Sequence, residues 1–331
     1  MRKFLCVAIS AAISCVMLVT PVFAEAVTNE LPGEVDARYY EMPDPSEISI
    51  EEAAPGATII YDLPYCGDNS TSYQKLHLVL PSDKKADKVP VLVFVHGGAW
   101  SRNNSTEDHM VTATARAALC TVDAGYAVAL VDYSVKNKEN EYALPNQIYE
   151  IKAAVRFLRS VADEYGLDAD KIALIGESAG GHLVDIVGTT NGDEEYDKEE
   201  YGYIDYSSDV QAVIGQYSIC NLEGQPDPMV KRLFGVDPAA VTEEELQEKY
   251  EYVSAIYHVD ENDPPFYLEH GTADTTVPYT QSEDFYAALT DAGVENCELH
   301  IYPDMEHAVA WFQSDYVCEG IIDWLNRVLE Y

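Results

Sequence analysis

The sequence predicts an α/β fold with a mostly parallel central sheet, helices on both faces and a small cap or insertion. Two observations lead to this prediction. From about residue 89 onward, short apolar runs rich in Val, Ile, Leu and Ala alternate with longer segments whose apolar residues recur at helical spacing. The connections between them are short, and alternating strand and helix units of this kind form parallel sheets.

The elements follow in chain order, beginning with two extended runs that predict an antiparallel hairpin at a sheet edge. The predicted strands are Ala57–Leu63, Tyr73–Leu80, Val91–Val95, Ala127–Val131, Ile172–Ile175, Val210–Tyr217, Phe266–Glu269 and Glu298–Tyr302. The predicted helices are Asp108–Ala124, Asn146–Tyr165, Tyr279–Ala292 and Tyr316–Leu329. The helix Asn146–Tyr165 has the clearest apolar stripe, and Gly166 directly after it is typical of a helix C-cap.

The first 24 residues have the pattern of a signal peptide. A basic start and the apolar run Phe4–Val19 precede small residues at Val22 and Ala24, which fit a signal-peptidase site. The run is too short for a permanent membrane span. We therefore expect a secreted protein cleaved near Ala24, and lipidation at Cys15 is the alternative.

Behind this segment the chain is organised as one domain. Residues 25–55 contain several prolines and many carboxylates, which predicts a flexible linker or N-terminal arm. Residues 56–331 are long enough for one large domain with a full core, and the alternating elements lie within them.

The composition is strongly acidic, with 20 basic and 58 acidic residues and a formal net charge of −38. Such a surface repels nucleic acid and anionic lipid head groups, so neither is expected as a partner and a neutral substrate is favoured. The odd number of cysteines beyond the signal peptide leaves at least one unpaired or paired between chains, and no Cys or His spacing indicates a metal. These cysteines are Cys66, Cys120, Cys220, Cys297 and Cys318.

The segment Gly-Glu-Ser-Ala-Gly, residues 176–180, joins a predicted strand to an apolar helical segment. A tight strand-to-helix turn strains its central residue, and only small neighbours fit beside it. The strain would lift the hydroxyl of Ser178 above the N-terminal end of the helix, which is the position of a nucleophile.

The segment His-Gly-Gly-Ala-Trp, residues 96–100, follows the strand Val91–Val95. Its small residues leave backbone N–H groups uncovered at the end of that strand. We expect the N–H groups of Gly97, Gly98 and Ala179 to form an oxyanion hole. Trp100 is expected to bind substrate by limiting the acyl pocket.

A nucleophilic serine also needs a base, and the chain offers eight histidines. His307 lies on a loop after the last predicted strand, from which it could reach the serine. His300 lies inside a strand pattern and His270 at a strand end, so both are predicted to be structural. His182, one turn into the helix after the serine, could touch the site but could hardly act as its base.

The carboxylate that orients this base is expected between the serine and the histidine in chain order. Asp274, after the strand Phe266–Glu269, has that position, and the order Ser178, Asp274, His307 is typical of α/β-hydrolases. Asp304 is too near His307 along the loop, and Asp263 precedes the strand.

Two insertions interrupt the strand and helix order. Asp193–Asp209 is acidic and rich in tyrosine, and Glu223–Asp263 contains the helix-like stretch Val241–Tyr252. Both follow strands whose C-terminal ends point toward the serine, where segments usually shape a substrate site. For Asp193–Asp209 a solvated surface loop is the favoured interpretation.

As a set, HGGAW, the VDY that ends the strand Ala127–Val131, GESAGGHL, HGTADTTVP and the late histidine resemble secreted α/β-hydrolase esterases of the hormone-sensitive-lipase-like group. Within that group they are most similar to bifunctional acetyl-xylan and feruloyl esterases. The resemblance runs from about Tyr73 to the C-terminus, and Ser134 departs from it because the family often has arginine there. It implies an α/β-hydrolase fold and carboxylic ester hydrolysis. The site residues that it implies are Ser178, Asp274 and His307 as a triad, with Gly97, Gly98 and Ala179 around the oxyanion hole.

The predicted function is a serine carboxylic ester hydrolase for short acyl groups, with acetyl esters of plant cell-wall polysaccharide favoured and feruloyl esters slower. Some of the 24 tyrosines could stack on sugar rings. A serine peptidase, a formamidase on the same fold and a non-catalytic binding module are the alternatives. No cofactor is expected, and the sequence leaves the acyl group, the alcohol, the disulfide pairing and the oligomeric state open.

Overall fold

The computed structural model describes residues 27–28, 31, 33, 35–41, 48–101, 110–111, 113–135 and 143–331. The predicted signal peptide and the first residues of the predicted helix Asp108–Ala124 lie outside these ranges. No helix in the described ranges combines the length and the apolar character needed to cross a bilayer.

The strands of the described residues form a large sheet and a small two-stranded one. In chain order they are β1 (Val27–Thr28), β2 (Ile48–Ser49), β3 (Thr58–Pro64), β4 (Lys75–Leu80), β5 (Val89–Val95), β6 (Met110–Val111), β7 (Ala127–Val131), β8 (Leu167–Glu177), β9 (Ala212–Gln216), β10 (Phe266–Gly271) and β11 (Glu298–Tyr302). The large sheet has the order β1-β11-β10-β9-β8-β5-β7-β4-β3, and β2 pairs with β6. β4 is antiparallel to both of its neighbours, β3 and β7, and every other pair in the large sheet is parallel. The mostly parallel sheet and the edge hairpin are therefore confirmed.

The α-helices of the described residues are α1 (Ile50–Ala53), α2 (Arg116–Leu119), α3 (Asn146–Ser160), α4 (Ala162–Tyr165), α5 (Ala179–Gly188), α6 (Asp227–Phe234), α7 (Glu243–Val253), α8 (Thr280–Ala292) and α9 (Asp315–Val328). They cover both faces of the sheet, and two apolar cores lie between sheet and helices. All side chains of β5 are buried, as is usual for a central parallel strand covered on both faces.

Most elements lie within two residues of their predicted bounds, and three differ more. β8 extends well beyond the predicted Ile172–Ile175, because its first residues are polar and do not read as an apolar strand. The described part of the predicted helix Asp108–Ala124 contains a 3₁₀ turn and only the four residues of α2 as α-helix. The predicted helix Asn146–Tyr165 is divided at Val161 into α3 and α4, and Gly166 ends it in the left-handed conformation, with φ 71°.

The described part of residues 25–55 lies against the domain. β1 pairs with β11 at the edge of the large sheet, and Ile50 in α1 is fully buried in the core. Between these two elements, the carbonyl of Glu41 accepts a hydrogen bond from the backbone N–H of Ala310. These residues form an N-terminal arm that covers the sheet edge and part of one core.

The tyrosine-rich insertion Asp193–Asp209 is held by basic side chains of α3. Lys152 is fully buried and its ammonium donates to the hydroxyl of Ser208 at 3.2 Å. The buried Arg156 pairs with Asp197, and Arg159 binds backbone carbonyls at the end of the insertion. The insertion is therefore anchored on α3, not solvated along its whole length.

Candidate active site

Ser178 lies on the turn between β8 and α5, in the position expected from the sequence. Its backbone has φ 52° and ψ −115°, a conformation that an L-residue adopts only under strain. Its N–H donates to the carbonyl of Gln216 on β9, and its carbonyl accepts the first helical bond, from His182. The sheet and the helix thus hold the strained residue from both sides.

The glycines on either side of the serine are required by close backbone contact. A Cβ atom at Gly176 would lie 2.4 Å from the carbonyl oxygen of Gly180, and one at Gly180 would lie 2.1 Å from that of Val95. Real Cβ atoms essentially never approach so closely, so any larger residue would displace the turn. This packing is the physical reason for the small residues of the motif.

Asp274 and His307 come from loops that follow β10 and β11, which are neighbours in the sheet. The two loops are joined by a hydrogen bond from the N–H of Ala273 to the carbonyl of Met305. A Cβ at Gly271 would lie 2.1 Å from that same carbonyl oxygen, so glycine is needed where the loops cross. Parallel strands end at the same edge of a sheet, which brings both side chains to the serine.

The three side chains form a continuous chain of hydrogen bonds. His307 Nδ1 lies 2.6 Å from Asp274 Oδ2, and His307 Nε2 lies 3.0 Å from Ser178 Oγ. Because a carboxylate can only accept, Nδ1 carries the proton and Nε2 is left as the acceptor for the serine hydroxyl. This tautomer is the one that a general base needs.

The carboxylate of Asp274 is fully buried and accepts further hydrogen bonds. Its Oδ1 accepts from the N–H groups of Thr276 and Val277, both at 2.8 Å, and His270 Nε2 lies 3.2 Å from Oδ2. Burial alone would raise the pKa of Asp274, but the hydrogen bonds from His270 and His307 outweigh it, and the pKa lies well below its usual range. Asp274 therefore stays ionised over the whole range in which a histidine titrates.

His270 was predicted to be structural, and it contacts Asp274 directly. Its ring is fully buried, with Nδ1 2.8 Å from the hydroxyl of Ser282 and Nε2 3.0 Å from the carbonyl of Val277. Since that carbonyl can only accept, Nε2 carries the proton and can also donate to Asp274. His270 lies at the end of β10 and Asp274 in the turn that follows, and no sequence spacing indicated this contact.

The turn at residues 97–100 provides backbone donors beside the serine. Gly98, Ala99 and Trp100 have φ of 105°, 53° and 57°, and successive residues of this kind can point N–H groups into one concavity. Among the described residues, the N–H groups of Gly98, Ala99 and Ala179 have no protein acceptor. They are free to bind an oxyanion.

Gly97 has a role that differs from the prediction. Its N–H donates to Glu177 Oε1 at 3.3 Å, and a Cβ atom at this position would lie 3.0 Å from the carbonyl oxygen of Glu177. Its N–H is therefore already used to hold the turn against the residue before the serine. Ala99, whose N–H has no protein acceptor among the described residues, is a further candidate donor that the sequence did not indicate.

Glu177 and Tyr217 form a second contact network that the sequence did not indicate. The hydroxyl of Tyr217 donates to Glu177 Oε2 at 2.7 Å, and its ring packs edge-on against the ring of His307 with centroids 4.9 Å apart. Both side chains are buried. Together they join the turn at Gly97 to the imidazole of His307.

Trp100 is buried and is fixed by His182. Its indole Nε1 donates to His182 Nδ1 at 3.1 Å, and His182 Nε2 donates to the carbonyl of Val253 at the end of α7. Burial lowers the pKa of His182 to about 4, so the ring is neutral at pH 7. His182 thus connects the insertion that contains α7 with the turn beside the serine.

A cavity of about 100 Å³ opens at the serine. The residues that line it include Ala99, Trp100, Ile219, Met229 and Val277, with amide groups from two glutamines. Met229 and Gln225 belong to the predicted insertion Glu223–Asp263, whereas no residue of Asp193–Asp209 lines the cavity. In the described part of the chain, no three His, Cys, Asp or Glu side chains come together as ligands for a metal ion.

A sheet of this order, with a strained serine between its central strand β8 and helix α5, defines the chain as an α/β-hydrolase. It belongs to the BD-FAE family, which matches residues 76–289. The esterase LipQ of Mycobacterium tuberculosis is 30% identical over 249 residues, which are 73% of this chain and 56% of LipQ. The chain spans about half the length of the curated relatives it matches.

Two solved structures are similar in fold and sequence. A bifunctional GH43-CE protein of Bacteroides eggerthii has 28% identity and a TM-score of 0.71, covering 82% of this chain and 35% of that protein. A thermophilic esterase of Thermogutta terrifontis with butyrate bound has 28% identity and a TM-score of 0.58, covering 84% and 92%. The predicted resemblance to α/β-hydrolase esterases is thereby confirmed.

Proposed function

We propose that the chain is a serine carboxylic ester hydrolase for short acyl esters, with Ser178 as nucleophile, His307 as general base and Asp274 as the group that orients the base. The observation that carries this proposal is the unbroken hydrogen-bond chain from Asp274 through His307 to Ser178. The relatives and neighbours named as esterases support the reaction class.

The reaction follows from where the protons lie. Ser178 Oγ attacks the acyl carbonyl while its proton moves to His307 Nε2, and the charge of the resulting imidazolium is stabilised by Asp274. The N–H groups of Ala99, Gly98 and Ala179 bind the oxyanion, and each such donor contributes about 2.7–4 kcal/mol of barrier lowering. His307 then protonates the departing alcohol, and water releases the acyl group by the same steps in reverse.

The cavity beside the serine supports a short acyl group. Pockets for drug-sized ligands measure roughly 300–1,000 Å³, whereas this one has about 100 Å³. An acetyl or butyryl group fits such a space, and a feruloyl group does not fit without movement of its walls. Trp100, held rigidly by His182, closes one side.

We propose acetyl esters of plant cell-wall polysaccharide as the substrate. The strongly acidic surface disfavours anionic polymers and is compatible with a neutral glycan. The bifunctional GH43-CE neighbour supports a carbohydrate ester. The tyrosines of Asp193–Asp209 do not line the cavity, so they give this proposal no support.

The test is a substrate panel with the purified protein and the Ser178→Ala variant as background. We expect acetate release from acetylated xylan, fastest turnover of acetyl and butyryl nitrophenyl esters, and weak action beyond about six carbons and on methyl ferulate. A preference for octanoyl esters without acetate release would indicate a lipase-like enzyme. Hydrolysis of peptides alone would indicate a peptidase.

The place of action is a separate proposal. The basic start and apolar run of residues 1–24 support export with cleavage near Ala24. Mass spectrometry of the protein recovered outside the cells should give an N-terminus close to residue 25. An intact start, or a lipid on Cys15, would contradict cleavage at that position.

A further inference from the structure

The segment from α2 to Tyr126 runs alongside α9, and a side-chain hydrogen bond joins the two at each end of this segment. Arg116 Nη2 lies 2.5 Å from Asp315 Oδ1 near the start of both helices. Farther along, the hydroxyl of Tyr126 donates to the side-chain oxygen of Asn326 at 2.9 Å. These contacts fix the register of the two segments, because residue numbers increase together along both.

Cys120 and Cys318 face each other between these two contacts. Cys120 follows Arg116 by one helical turn, with its N–H bonded to the carbonyl of Arg116 at 2.9 Å, and Cys318 follows Asp315 by three residues of α9. Residues three or four apart lie on the same face of a helix. The thiol of Cys120 donates to the carbonyl of Ala117 at 3.2 Å, and the thiols of Cys120 and Cys318 are near enough for each to shift the pKa of the other.

We propose that Cys120 and Cys318 form a disulfide bond that joins the α2 segment to α9. The other described cysteines have different neighbours: Cys220 donates to the carbonyl of Gln281, and Cys297 accepts from the N–H of Phe266. Among the described residues, none of Cys66, Cys220 and Cys297 has another cysteine among the groups that shift its pKa.

The local electrostatics favour thiol–disulfide exchange at this pair. The contact with Cys120 and the nearby charge of Arg116 lower the pKa of Cys318 against the opposing effect of burial, whereas the same contact and burial raise the pKa of Cys120. Burial instead raises the pKa of Cys66 to about 12 and that of Cys297 to about 11. Cys120 is partly exposed, so the pair is open to a reagent.

The oxidant is a disulfide of the form R–S–S–R, such as oxidised glutathione. Cys120, the partly exposed thiol, loses its proton and attacks one of its sulfurs, which releases R–S⁻ and gives a mixed disulfide. The thiolate of the buried Cys318 then attacks the Cys120 sulfur, forming the Cys120–Cys318 bond and releasing the second R–S⁻. The protein is oxidised by two electrons, and R–S–S–R is reduced to two thiols.

The bond would close a loop of nearly two hundred residues and restrict the unfolded chain. It would also fix the start of α9, which follows the loop that carries His307. For a loop of this length the chain-entropy description predicts a rise in Tm of about 5–10 °C. This inference does not depend on the proposed enzymatic activity.

The experiment equilibrates the folded full-length protein with oxidised glutathione and blocks the remaining thiols with an alkylating reagent. Cleavage after Lys, Arg and Glu then releases residues 117–136 and 307–319, each with a single cysteine. We expect mass spectrometry to find these two peptides joined and the free-thiol count reduced by two. Adding a reductant should separate them and lower Tm by the amount given above.

Single serine variants make the assignment specific. Cys120→Ser and Cys318→Ser should each abolish the joined peptide and the dependence of Tm on the redox state, whereas Cys297→Ser, also partly buried, should keep both. If both peptides are recovered with alkylated cysteines after oxidation of the wild type, or if either is joined to a different cysteine, the proposal is wrong.

Discussion

Replacing Asp274 with asparagine tests the hydrogen-bond chain at its origin. The carboxylate accepts from two backbone N–H groups through Oδ1 and faces the protonated nitrogens of His307 and His270 through Oδ2. The asparagine side chain would keep its carbonyl oxygen toward the N–H groups of Thr276 and Val277. Its NH₂ group is a donor and could not accept hydrogen bonds from them. Its NH₂ group would then point at both histidines.

The effect on turnover follows from the tautomer. A donor opposite His307 Nδ1 makes that nitrogen the acceptor and moves the proton to Nε2, which can then no longer accept from Ser178. The amide also carries no charge to stabilise the imidazolium. We expect kcat to fall by about 10⁴, which corresponds to about 5.5 kcal/mol of barrier.

The assay is the initial rate on nitrophenyl acetate at saturating substrate, with Tm measured alongside to show that the variant is folded. Asp304→Asn is the matched control, because Asp304 lies on the His307 loop with an exposed side chain. We expect it to retain most of the activity. A larger loss for Asp304→Asn than for Asp274→Asn would refute the assignment of the orienting carboxylate.

Three further predictions concern the serine turn and its supports. Ser178→Ala should lower kcat by about 10⁶ with Tm unchanged, and a tenth of the wild-type rate would exclude Ser178 as the nucleophile. Gly180→Ala should lower the free energy of unfolding by about 3 kcal/mol in urea titrations, because its Cβ would lie 2.1 Å from the Val95 oxygen; wild-type stability would show that the turn can relax. The folded-state pKa of His182, about 4, lies below the ordinary value of about 6.5, so the stability from its neutral ring is full above pH 6.5 and is lost as pH falls toward 4. Urea midpoints should therefore drop less between pH 7 and 4.5 for His182→Gln than for the wild type, and equal drops would contradict this.

The pattern of apolar residues predicted best the elements that are buried on both faces or that alternate regularly between buried and exposed positions. The observed strands β7 and β11 have the predicted bounds, Ala127–Val131 and Glu298–Tyr302. β7 is buried along its whole length and is an unbroken apolar run, whereas the first four residues of β11 alternate between half-buried and buried positions, which is the two-residue period of a strand. The predicted helix Asp108–Ala124 was too long: in its described part only residues 113–119 are helical, and Met110–Val111 form a strand. Small apolar residues there are buried in a short 3₁₀ and α-helical turn against α9, and composition alone cannot distinguish that packing from a longer helix.

The order of motifs along the chain was enough to select Ser178, Asp274 and His307. Each of them follows a strand, and the carboxyl ends of parallel strands lie at the same edge of the sheet. Sequence could not show which N–H groups stay free. The contact between Gly97 and Glu177 joins residues eighty positions apart and occupies a predicted oxyanion donor, whereas Gly98 and Ala99 in the same turn have no protein acceptor among the described residues.

The support of the site was likewise decided by tertiary structure alone. His270 reads as a strand-end residue and Tyr217 as one of many tyrosines, yet one contacts Asp274 and the other contacts His307. The facing thiols of Cys120 and Cys318 depend on how α2 lies along α9. Local sequence sets backbone preference and burial period, whereas a hydrogen bond between distant residues depends on the relative placement of whole elements, which only the packed core fixes.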